Sequence, residues 1–199
     1  MDATECEWVW YGGRVSLDFV NTRRDREANP VEYLRQPDDL TAWLQAAGVA
    51  ATGADAGTFA AALTLRESID ALVLATVSGA PPAEQPLSQV NDWLSLVPGP
   101  SPVLRRAGHL VTFAASPRDP DVRAALASIA LDAAQLVGGD LRDRLRICPG
   151  PRCGGRFLDR SAGGRRRWCS MAVCGNRSKA SSHRSAAFQS RGGDVSSTR

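Results

Sequence analysis

The sequence predicts an α+β chain in two parts, a mainly helical N-terminal domain followed by a small module built on cysteines. Three observations carry the prediction. Helical periodicity with start and stop signals recurs through the first 140 residues. Four of the five cysteines, at 148, 153, 169 and 174, fall within 27 positions. Charge divides at the same place: from Leu141 onward there are 14 basic and 3 acidic residues, net +11, against 10 basic and 18 acidic before it, net −8. A chain of 199 residues can bury one sizeable core and carry one accessory module.

The elements follow in chain order. After the Gly12-Gly13 turn, Val15, Leu17 and Phe19 alternate as a short strand would, while a helix from Ser16 would put Leu17, Val20 and Asn21 on one face. "PDDLTAWLQAAG" reads as a short helix, with Pro37 and the Asp38-Asp39 pair at its start and Gly48 at its stop. A long helix is expected over Thr58 to Ser78, ended by "GAPP", and a second over "LSQVNDWLSLV". "VLRRAGHLVTFAA" reads as two short strands around Arg106-Ala107-Gly108. "DPDVRAALASIALDAAQLVGG" carries the strongest helical stripe, opening at Asp121 and closing at Gly138-Gly139. The divisions expected are 1–140 for the helical domain, 141–188 for the cysteine module and 189–199 for a disordered tail.

The cysteines form two Cys-x4-Cys pairs separated by fifteen residues. The acidic start "MDATECEWVW" lacks the basic and apolar segments of an export signal, and no apolar run is long enough for a membrane span. A soluble, cytoplasmic protein is therefore expected, and in it such pairs read as metal ligands rather than disulfides. Cys6 stands apart as a free thiol. Proline and glycine in "CPGPRC" fold a tight knuckle; "RFLD" and "RRRW" can pair across "RSAGG"; Cys174 then falls in or near the first turn of a helix. This knuckle, hairpin and helix order is treble-clef-like. Four thiolates around one ion make a closed, structural zinc site. In so small a module zinc supplies roughly 10–16 kcal/mol of apparent binding energy in place of a hydrophobic core. An iron–sulfur cluster, which also takes four cysteines, is the rival reading.

Zinc with four thiolates adds a formal −2, which lowers the +11 to about +9. Candidate nucleic-acid contacts are Arg165, Arg166 and Arg167 on the return strand, and Asn176, Arg177, Lys179, His183 and Arg184 on the following helix. The competing expectation is that this basic face docks on the acidic N-terminal domain. Trp168, beside a ligand, is expected to pack the miniature core. In the N-terminal domain Asp18, Asn21, Thr22 and Arg23 could line a ligand pocket, or they could cap a helix and satisfy buried backbone groups.

"RFLDRS", "RRRWCSMAVCGNR" and "KASSHR" resemble the CGNR zinc-finger family, named for the motif at Cys174-Gly175-Asn176-Arg177. "GGRVSLDFVNTRR" and "LTAWLQAAG" resemble the ABATE domain that typically precedes that finger. The resemblance implies a stress-responsive bacterial transcription regulator with a zinc-dependent DNA-binding end. It also implies Cys148, Cys153, Cys169 and Cys174 as ligands, and Arg177 as part of the signature. The segment after the motif, "SSHRSAAF", is less basic than is usual for such proteins.

Duplex DNA is thus the expected partner, with the N-terminal domain as sensor of a small-molecule effector or as the unit of a homodimer. An RNA-binding zinc module and a protein-interaction adaptor are the alternatives. Catalysis is not expected: the two histidines, His109 and His183, are far apart, and no nucleophile elbow or phosphate-cradling glycine loop is present.

Overall fold

The computed structural model describes residues 8–26, 28–49, 51–97, 101–107, 110–116 and 121–180. Among these residues five helices precede the cysteine module: α1 (Val15–Val20), α2 (Pro37–Ala46), α3 (Ala56–Ser78), α4 (Glu84–Leu94) and α5 (Val122–Gly138). Between them lie a two-residue antiparallel pair, β1 (Arg23–Arg24) with β2 (Val31–Glu32), and the hairpin β3 (Ser101–Ala107) with β4 (Leu110–Ser116). The module begins with a 3-10 turn at Arg142–Arg144. It continues with β5 (Leu145–Ile147) and β6 (Arg156–Leu158), and ends in a wide helical turn at Met171–Gly175. Residues 176–180 carry that turn on as α-helix.

Local chemistry explains the helix limits. The Asp55 carboxylate accepts the Thr58 N–H at 2.6 Å and starts α3. Gly79, at φ 69, ends it in the left-handed conformation that glycine adopts without strain. Asp39 accepts from the Gln36 N–H at 3.2 Å and opens α2, with Pro37 in the first turn. Asp121 does the same for α5 through the Arg123 N–H at 3.1 Å.

At Val15 the helical reading prevails over the strand. α1 is only six residues long, yet Ser16, Leu17, Asp18, Phe19 and Val20 are all buried. Burial on every side, rather than on one face, is why neither period is clear in its sequence. Phe19 packs on Trp43 with ring centroids 5.2 Å apart. Asp132 of α5 fixes the entry to α1, accepting from Arg14 Nε at 2.8 Å, the Ser16 N–H at 3.1 Å and the Ser16 hydroxyl at 2.5 Å. α3 lies at the centre, packed against α1, α2, α4, α5 and β5.

One expected pairing is different. "RFLD" does not pair with "RRRW"; β6 pairs antiparallel with β5, Leu145 opposite Leu158 and Ile147 opposite Arg156. The knuckle turns the chain back at once, so the strands that meet are those flanking the first cysteine pair. Residues 165–167 form no strand. His183, Arg184, the segment 189–199, Cys6 and His109 lie outside the described residues.

Candidate metal centre

The β5–β6 hairpin places the first two cysteines at its turn. The Cys148 N–H donates to the Gly155 carbonyl at 2.9 Å, and the Cys153 N–H to the Gly150 carbonyl at 3.1 Å. Gly150 leaves room for the sulfurs: a Cβ there would stand 3.2 Å from Cys174 Sγ and 3.4 Å from Cys148 Sγ, a tight fit. The second pair is set by Ser170, whose carbonyl accepts both the Cys174 and Gly175 N–H groups, at 2.9 and 3.1 Å. The Ser170 hydroxyl takes the Val173 N–H at 3.3 Å, which caps the helical turn carrying Cys174.

All four sulfurs lie within 4.8 Å of one another. Cys153 Sγ is 3.5 Å from Cys169 Sγ, and Cys169 Sγ is 3.6 Å from Cys174 Sγ. These separations exclude disulfides, whose S–S bond is about 2.05 Å. They suit a tetrahedral zinc site, in which sulfurs about 2.3 Å from the ion stand about 3.8 Å apart. Proton affinities reflect the same crowding. Hydrogen bonds from the Cys153 and Cys169 thiols hold Cys148 far below the ordinary thiol range, and the Cys148 thiolate in turn pushes both of them up. Sulfurs this close cannot all ionise unless a cation compensates them. The donor set fits one Zn2+, held by Cys148, Cys153, Cys169 and Cys174, with no position left for water.

The surroundings of this centre come from both ends of the chain. Tyr11, Phe157 and Trp168 pack with the cysteines in a second small core. Burial, then the Cys153 sulfur charge, raises the Tyr11 phenol above its ordinary range. The Leu158 N–H donates to the Gly12 carbonyl at 2.8 Å, and Arg160 donates to the Gly13 carbonyl. Asp159, fully buried, ties the next loop together. Its carboxylate accepts from the Ser161 hydroxyl at 2.6 Å, the Ser161 N–H at 2.9 Å and the Arg166 N–H at 3.0 Å. The Ser161 hydroxyl bond leads the effects that hold it below the usual carboxylate range.

The expected basic set separates into two groups. Arg166 turns inward: its guanidinium lies 4.8 Å from the Phe157 ring and donates to the carbonyls of Trp168, at 3.0 Å, and of Cys169. Arg165, Arg167, Asn176, Arg177 and Lys179 are exposed. Arg156 is committed entirely to the fold. It is 2 % exposed, and its Nε meets Asp70 Oδ1 at 2.6 Å. From there a chain of ion pairs runs outward, buried at Asp70 and Arg66 and partly exposed at Glu67 and Glu32. Asp70 meets Arg26 at 3.3 Å, Arg26 meets Glu67 at 2.6 Å, Glu67 meets Arg66 at 2.9 Å, and Arg66 grips Glu32 through both oxygens at 2.6 Å. Burial raises the Glu67 carboxyl, but Arg26 and Arg66 outweigh it and leave the group below its ordinary range.

Three of the four N-terminal candidates sit close together and are already engaged. Asn21 exchanges two hydrogen bonds with the Arg156 backbone, at 2.8 and 2.9 Å. Thr22 donates to the Phe19 carbonyl at 2.7 Å and accepts from Arg66 at 3.1 Å. Asp18 accepts the Gly12 N–H at 2.7 Å, and burial pushes its carboxyl up to about 6. The void beside these three has essentially no volume for a ligand. Arg23 faces elsewhere, into an open cleft of about 550 Å3 shared with Glu32, Arg66 and Glu67. Arg156, Asp70, Asp159 and Tyr11 are not among the site residues expected from sequence. Asp159 alone has a local signal, as the acid of "RFLDRS" set among arginines.

Two family models match the chain. ABATE, described as "Putative stress-induced transcription regulator", matches residues 13–140. The CGNR zinc finger matches residues 144–187. No curated protein matches the chain.

Proposed function

Because the chain belongs to the ABATE family and ends in a CGNR zinc finger, we propose that it is a transcription regulator that binds duplex DNA through the exposed basic side of the finger. The observation that carries this reading is the division among the finger's cations. Arg156 and Arg166 are spent on the fold, while Arg165, Arg167, Arg177 and Lys179 remain exposed around a rigid metal centre, with Asn176 beside them. Side chains of this kind position a protein on phosphates and can read base edges. The closed four-thiolate site favours binding over catalysis, because a metal with no open position supplies architecture and not a reactive water. The N-terminal domain acts as the sensor, and the open cleft beside Arg23 is where an effector would reach α3.

Fluorescence anisotropy with labelled duplex tests the proposal. Binding should weaken steeply with salt, the log–log slope being about −0.9 per phosphate neutralised, and should disappear when a chelator removes zinc. Competition between duplex DNA and single-stranded RNA separates the DNA reading from the RNA one. An absence of salt-sensitive binding to either would contradict both.

A further inference from the structure

The metal centre forms one wall of an open cleft of about 490 Å3, a volume within the roughly 300–1,000 Å3 of small-ligand sites. The opposite wall is the segment leading into α1, with Trp8, Trp10 and Tyr11, and Arg24 also lines the space. Arg152 and Arg177 bound it on the finger side.

Three features of this cleft point to one kind of occupant. Trp10 is 47 % exposed, although it stacks on Trp43 with centroids 5.8 Å apart and 26° between the planes. The core thus holds a large aromatic ring in place while leaving much of it uncovered. No carboxylate lines the cleft among the described residues. Arg152 and Arg177, both exposed, line it on the finger side. Finally, Arg152 occupies φ 56, a conformation in which glycine would be unstrained. Arginine at this position gives the cleft an exposed cation where glycine would give it none.

We propose that this cleft holds one unstacked nucleobase against Trp10, with its phosphate on Arg152 and Arg177. An exposed aromatic ring beside arginines is the usual platform for a base outside a duplex, and stacking accepts any base. The site rests on the nucleic-acid reading above and adds to it a free nucleotide or a single strand.

Titration of the full-length, zinc-loaded protein with AMP, with a short oligothymidylate and with a duplex tests this, followed by tryptophan emission. Saturable quenching by AMP supports a site for free nucleotide, and quenching by the oligothymidylate alone supports a base within a strand. Trp10→Ala should weaken binding about tenfold or more, and Trp10→Phe should recover most of the loss. The Arg152→Ala/Arg177→Ala pair should weaken binding and flatten its salt dependence with zinc content unchanged. Quenching by neither probe, or quenching that persists in both sets of variants, overturns the proposal. Salt-sensitive duplex binding without quenching by AMP or oligothymidylate removes the base site and leaves the regulator reading standing. Quenching by AMP without duplex binding does the reverse.

Discussion

Asp18 and Asp70 show how single buried carboxylates join the two parts of the chain. Asp18 is held by the Gly12 N–H, next to the carbonyl that receives the Leu158 N–H. Burial raises its carboxyl from 3.8 to about 6. The protonated acid is therefore favoured by the fold, and the stability it brings is complete below about pH 4 and lost as pH rises through about 6. The amide introduced by Asp18→Asn can still accept the Gly12 N–H through its carbonyl, and it does not titrate. Asp18→Asn should therefore gain on the natural chain between pH 4 and 6 and keep its advantage above, as read from paired urea unfolding curves. Equal pH dependence in the two proteins would contradict the assignment. Asp70 is the partner of Arg156, and removing it leaves a buried guanidinium unpaired. Asp70→Ala should cost about 3–5 kcal/mol, measured by the same unfolding curves. A cost below about 1 kcal/mol would show that the pair is not what holds the finger to α3.

Helices are the legible part of this sequence, and the reasons are local. Asp55, Gly79, Asp39 with Pro37, and Asp121 act within one turn of the residues they cap, so their signals survive without tertiary information. The four-cysteine site is equally readable, because its ligand spacing is nearly sequential. The β5–β6 pairing is hidden because strands of three residues are too short for alternation to say which of them meet across the knuckle between Cys148 and Cys153. Alternation along "RRRW" separates Arg166 from Arg165 and Arg167, and Arg166 is the one of the three that turns inward, toward Phe157, although residues 165–167 are in no strand. The knuckle itself offers a sharp test. In Gly150→Ala the new methyl group would meet the sulfurs of Cys174 and Cys148. Zinc affinity should fall about tenfold, the lower end of the range for changes around metal ligands, as read by competition with a chromogenic chelator. Unchanged affinity would mean that the sulfurs move aside freely.

Across the molecule, the ion chain from Glu32 to Arg156 joins residues far apart in sequence, and no local pattern could reveal it. Arg156 of the basic module pairs with Asp70 of the acidic domain, while among the described residues Arg165, Arg167, Arg177 and Lys179 make no ion pair with that domain. Tyr11 and Gly12 extend the same connection from the other end of the chain, so the finger's small core is completed by residues outside it. No helix among the described residues is long and apolar enough to cross a membrane. The family assignment, the closed metal site and the outward arginines together make the salt dependence of nucleic-acid binding the most direct measurement. Replacing Arg165, Arg167, Arg177 and Lys179 by alanine together should make the log–log slope shallower by about 0.9 for each phosphate no longer neutralised, with one zinc per chain retained. A slope unchanged in that fourfold variant would contradict the account.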